Sequence, residues 1–168
     1  MAGRARRHGQ ARLDNPSRSL AVGSIARLIY PMVVQALDKG EGQMLADADV
    51  AANIAVADLA RAKAFYADTL GLKIREERPT GLLFDCAHGT YIDVYPSPSA
   101  GTARNTVASF KVDDLEATMA DLRSRGVKFE EYDSPGLKTS EGVAQLGPYR
   151  VCWFKDPDGN ILSIVSPS

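Results

Sequence analysis

Cysteine and histidine are scarce in this sequence: Cys86 and Cys152 are its two thiols, and His8 and His88 its two imidazoles, in 168 residues. One possible bridge is too few for a disulfide-stapled secreted scaffold, and the absence of any CxxC or Cys/His cluster removes a structural zinc site. A reducing, cytoplasmic setting is favoured. An excess of charge of either sign is also absent, 20 Lys and Arg facing 21 Asp and Glu, which argues against a polybasic nucleic-acid binder. The most apolar N-terminal stretch, from Leu20 to Leu37, is interrupted by Arg27 and Pro31. It offers no run near the roughly 20 residues of a membrane span. What is present is 45% hydrophobic residues, enough to build the core of one domain.

Charge is unevenly spread. Residues 1–43 hold seven basic and three acidic side chains, a net of +4, so the remainder carries -5 against -1 for the whole chain. The first 18 residues are rich in Arg, Gly and Ala without apolar period, and residues 1–43 read as a basic, largely disordered or helical arm appended to the domain. Arg6-Arg7 is not followed closely by an apolar run, so it makes a poor export signal.

The rest of the chain repeats itself. Ile54-x-Val56-x-Asp58-Leu59 recurs as Phe110-x-Val112-x-Asp114-Leu115, and Gly71-Leu72-Lys73-Ile74 as Gly126-Val127-Lys128-Phe129. Gly89 to Val94 recurs as Gly159 to Ile164, displaced by 70 positions where the first match is displaced by 56. The second copy therefore carries an insertion, placed in a Gly- and Pro-rich loop from Asp133 to Tyr149. Each copy begins with a short alternating strand, Ala51 to Val56 or Val107 to Val112, that runs into an Asp able to cap a helix. Apolar residues then fall at helical spacing, Leu59, Ala62, Tyr66 and Leu70 in one copy and Leu115, Met119 and Leu122 in the other, until Gly71 or Gly126 ends the helix. Three further strands follow, about Lys73 to Glu77, Leu82 to Cys86 and Thr90 to Tyr95, then Lys128 to Tyr132, Arg150 to Lys155 and Asn160 to Val165. The fold class is α+β, two tandem β-α-β-β-β modules at about 50–98 and 104–166 within a domain spanning 48–168.

Four stretches in this order, Val56-Ala57-Asp58-Leu59-Ala60-Arg61-Ala62-Lys63-Ala64-Phe65-Tyr66, Leu70-Gly71-Leu72, Phe110-Lys111-Val112-Asp113-Asp114-Leu115 and Asp156-Pro157-Asp158-Gly159-Asn160, resemble the vicinal oxygen chelate superfamily. That superfamily includes glyoxalase I, extradiol dioxygenases, fosfomycin-modifying enzymes and bleomycin-binding resistance proteins. The resemblance implies two modules around a U-shaped cavity, and in metal-binding members one ligand from the first and last strand of each module. Those four positions hold Ala51, Asp93, Val107 and Ser163 here. Ala and Val cannot donate and a neutral Ser is a poor ligand, whereas an activating divalent ion needs about three donors of the His, Asp or Glu kind. No metal and no other cofactor is expected.

Strand alternation places Ile54, Val56, Ile92, Val94, Phe110, Val112, Leu162 and Ile164 under the helices, with the four ligand positions and their second neighbours on the cavity face. The expected ligand-binding residues are Asn53, Tyr91, Asp93, Tyr95, Ser109, Lys111, Trp153 and Ser163. Asp93 is the one catalytic candidate, as a general base or as the holder of a cationic ligand; the alternatives are a solvent-facing carboxylate, an ion pair with Lys111 or Arg150, or capping by Ser163 or Asn53. The preferred function is a metal-independent small-molecule binding protein of the bleomycin-resistance type, a homodimer taking an aromatic or cationic metabolite or antibiotic, with no nucleic-acid or membrane partner. The alternatives are a glyoxalase-like lyase, isomerase or dioxygenase with an atypical metal site or with Asp93 as base, and a structural module whose arm docks a partner.

Overall fold

The computed structural model describes Leu45 and residues 48–168; the arm assigned to residues 1–43 lies outside the described residues. Residues Asp49–Ser168 form one compact unit.

Strand β1 (Ala51–Val56) leads into helix α1 (Leu59–Lys63), which continues as a wider π-helical turn over Ala64–Thr69. Asp58 starts this helix as its sequence position predicts, its carboxylate accepting from the backbone N–H groups of Ala60 and Arg61. The π turn is closed by the Leu70 N–H on the Phe65 carbonyl, and Ala62 and Tyr66, four apart and so on one face of the helix, both point into the core. Gly71, at φ +75°, ends it. Strands β2 (Lys73–Arg78), β3 (Gly81–Asp85) and β4 (Tyr91–Pro96) complete a sheet in the order β1-β4-β3-β2, with β1 and β4 parallel.

The second module repeats the plan. Strand β5 (Thr106–Lys111) precedes helix α2 (Leu115–Ser124), capped by Asp114. A short hairpin, β6 (Asp133–Ser134) and β7 (Leu137–Lys138), comes before β8 (Val143–Leu146), β9 (Tyr149–Lys155) and β10 (Ile161–Pro167), and the sheet order is β5-β10-β9-β8. Two four-stranded sheets with few helices make this the α+β, two-module architecture.

Two expectations need correction. Residues 128–132 do not form a strand: Phe129 makes a single bridge to Phe154, Glu130 donates one backbone bond to Trp153, and the chain then leaves the sheet. It returns as β8, inside the segment read from sequence as loop, to pair with β9. The departure corresponds to the place where β2 is bulged, between Ile74 and Glu76, so the insertion enlarges an irregularity that the first module already has. The second correction concerns β5, where a bulge sets Ile161 opposite Thr106 but Leu162 opposite Ala108. Val107 is the extra residue, and it packs against the main core.

That core is shared by both modules. Ile54, Val56, Ile92, Val94, Leu162 and Ile164 meet Tyr66, Leu115, Met119, Phe84 and Phe154, the helix-covered set that alternation predicts. A second, smaller cluster of Ala144, Val151 and Trp153 lies on the other face of the second sheet, covered in part by Tyr132 and Leu137 of the inserted segment. A buried polar knot joins the modules: the Tyr66 hydroxyl donates to Asp156 Oδ2 at 2.9 Å, and the Asn160 side-chain amide donates to the Ala55 carbonyl and to Asp156. Among the described residues no helix is long and apolar enough to cross a membrane.

Candidate functional site

Strands β1 and β5 each end their own sheet and are not hydrogen-bonded to one another. Where they face each other they leave a seam, and the seam opens into a cavity of about 490 Å³. Its wall comes from the start of β1 (Val50, Ala52), the β3–β4 connection and the start of β4 (Cys86 to His88, Thr90 to Ile92), Leu72, and β5 with its continuation (Ala108 to Val112). The volume lies within the range of small-molecule sites, and the lining is mostly apolar with a few polar groups at its edge.

Three of the residues expected at a ligand site, Tyr91, Ser109 and Lys111, line this cavity. Lys111 and Ser109 are exposed, while Tyr91 is half-buried. Arg75 lies over the Tyr91 ring at 4.8 Å and is itself paired with Asp85, fixing the ring's outer face. The Ser109 hydroxyl is 2.6 Å from that of Ser163, which is buried beneath it.

The other expected residues sit elsewhere. Asn53 and Tyr95 are exposed on the face of the first sheet opposite its buried core residues Ile54, Ile92 and Val94. Trp153 is buried, its indole N–H donating to the Thr106 hydroxyl and its ring met edge-on by Tyr132 at 5.5 Å. Asp93 is paired with Arg78, 3.1 Å from its Nη2, and not with Lys111, Arg150, Ser163 or Asn53. Arg150 is engaged instead by Glu116. Arg78 was missed because the sequence shows only a charged strand, Lys73-Ile74-Arg75-Glu76-Glu77-Arg78, before a turn. Gly81, opposite Arg78 across the hairpin, lies close by: a Cβ there would stand 2.6 Å from the Val94 carbonyl and 3.3 Å from Asp93 Oδ1.

The four positions that correspond to metal ligands in the resembling family do not make a donor set. Ala51 has no donor, Val107 packs against the core, Ser163 is hydrogen-bonded to Ser109, and the one carboxylate, Asp93, already has a guanidinium beside it. A divalent ion does not fit these residues. Among the described residues no group of three His, Cys, Asp or Glu side chains is placed to hold a metal elsewhere. The cavity thiol, Cys86, is pushed above its ordinary pKa by burial and by Asp85, with Arg75 opposing, so it is held as the unreactive thiol at neutral pH.

Residues 49–164 match the model of the Glyoxalase/Bleomycin resistance protein/Dioxygenase superfamily. The chain belongs to this superfamily. Among solved structures the superfamily fold is similar to that of TnmS3, an antibiotic binding protein from Streptomyces sp. CB03234, at 25% identity and a TM-score of 0.59, covering 75% of this chain and 100% of that one. A glyoxalase/bleomycin resistance protein from the same organism matches at 25% identity and a TM-score of 0.54, covering 70% of this chain and 98% of that one. Lactoylglutathione lyase from Agrobacterium tumefaciens, at 16% identity and a TM-score of 0.54, covering 71% and 92% of the two chains, shares the fold. No curated protein matches the sequence. The superfamily spans binding proteins and metal enzymes on one scaffold, so the choice between them rests on this chain's own residues.

Proposed function

We propose that this protein binds a small, flat organic molecule without a metal, in the manner of the antibiotic-binding members of its superfamily rather than of the metal enzymes. The observation that carries this reading is the seam cavity itself, which combines an apolar wall, an aromatic ring at Tyr91 and edge polar groups, with no activated nucleophile or donor set among its lining residues. The pairing of Asp93 with Arg78 weighs against a general base at that position, because the guanidinium already occupies a place at the carboxylate that a substrate proton would need. It also weighs against a cationic ligand, since the negative charge meant to hold it is already met.

The test is a thermal-shift screen of the full chain against planar aromatic metabolites and antibiotics, run with and without a chelator. Stabilisation that survives the chelator supports the reading. Stoichiometric zinc, nickel, manganese or iron in protein purified without chelator, together with ligand effects that vanish when it is removed, would overturn it in favour of a metal-dependent enzyme.

A further inference from the structure

The seam cavity has a charge character that its position alone does not dictate. No carboxylate is among its lining residues; its basic groups are the His88 imidazole and one ammonium, Lys111, at the edge of an apolar wall made by Ala52, Ile92, Ala108 and Phe110. Among the described residues Lys111 has no ion-pair partner, as Lys73, Arg104, Arg123 and Lys128 have none, and of these five it is the one that lines the cavity. Two carboxylates lie nearby outside the wall. Asp85 is held by Arg75, and Asp49 stands beside Gly89 in the turn after Cys86.

An unpaired cation at the edge of an apolar slot attracts an anion to its mouth, and two carboxylate oxygens can each accept from an ammonium. Tyr91 gives the slot an aromatic wall against which a second ring can stack. Resting on the small-molecule reading above, we infer that the seam cavity takes an aromatic carboxylate, its ring against Tyr91 and Phe110 and its carboxylate on Lys111. The occupant is thus an anion, the opposite of the cationic ligand that Asp93 suggests from sequence.

The experiment compares three probes with one ring system, 2-naphthoate, 2-naphthylmethanol and 2-naphthylmethylammonium, titrated calorimetrically into the full chain at low ionic strength. The expected order is naphthoate tightest by about tenfold, then the alcohol, then the ammonium, with the naphthoate advantage shrinking at about 0.5 M salt. Lys111→Gln brings naphthoate to the level of the alcohol and leaves the alcohol unchanged, Lys111→Arg keeps the preference, and Ala108→Leu weakens all three by filling the slot. Circular dichroism confirms that each variant is folded. If the alcohol or the ammonium binds as tightly as naphthoate, or Lys111→Gln changes nothing, the anion assignment is overturned while small-molecule binding stands. Failure of all three probes to bind, together with a blank metabolite screen, overturns both.

Discussion

Arg78 and Asp93 reach one another at 3.1 Å on the face of the first sheet opposite the main core, with only 13% and 19% of their side chains exposed. The carboxylate at the one ligand position able to donate is thereby used within the fold, as half of an ion pair beside which Gly81, opposite the arginine across the hairpin, has no room for a Cβ. Removing either partner leaves a largely buried charge unmatched, whereas removing both does not. Asp93→Ala and Arg78→Met should each lower stability in urea by about 2 kcal/mol, with the double variant losing clearly less than the sum. Additive losses would show that the two charges do not interact.

The polar knot between the modules should be less tolerant. Asp156 Oδ1 accepts from the backbone N–H groups of Asp158 and Asn160, while Oδ2 accepts from the Tyr66 hydroxyl and the Asn160 amide. Asp156→Ala strands several buried donors at once and should cost about 3 kcal/mol or more. Tyr66→Phe removes one donor, leaves the carboxylate its other partners, and should cost about 1 kcal/mol. Equal losses in urea titrations would deny the carboxylate its central place.

Burial sets an alkaline limit on stability. The Cys152 thiol, wholly buried in the main core, is pushed up from an ordinary 9.0 to about 11, chiefly by burial. The folded protein keeps this proton at a pH where the unfolded chain releases it, so the stabilisation is complete below about pH 9 and is lost between about 9 and 11, to the extent of some 2 to 3 kcal/mol. Burial and Asp156 raise the Tyr66 hydroxyl in the same sense. Cys152→Ala should flatten the part of the pH–stability curve between 9 and 11, and an unchanged slope there would place the loss on Tyr66 alone.

The inserted segment gives a spectroscopic handle, because Trp153 is the single tryptophan of the chain and Tyr132 meets its ring edge-on. Tyr132→Ala should shift its fluorescence emission to the red as water reaches the indole, at a cost of about 2 kcal/mol. Unshifted emission would mean that the insertion does not shield this face.

Much of the fold was legible because the features that mark it are local. Strand β1 falls on Ala51–Val56 as alternation predicts, Asp58 and Asp114 cap the two helices, and the buried sets under them follow strand and helix periods. The second edge strand was not, because Val127 to Tyr132 alternates like a strand and nothing in that pattern records that the partner strand is abandoned after one bridge and regained at Val143. Tyr91, Ser109 and Lys111, expected from strand alternation on one face, line the seam cavity together with Ile92 and Phe110, expected on the other. The Arg78 pairing and the cavity at the ends of β1 and β5 depend on where two sheets leave an unpaired edge, which is a property of tertiary packing and has no sequence period.

The most direct measurement is a set of ¹H–¹⁵N spectra of the chelator-treated full chain titrated with a planar aromatic probe such as 2-naphthoate. Ligand binding in the seam cavity predicts saturable shifts centred on Ala52, Tyr91, Ala108 and Lys111, with no divalent ion added. Shifts centred instead on Asn53, Asp93 and Tyr95, or binding that appears only when a divalent metal is restored, would contradict it.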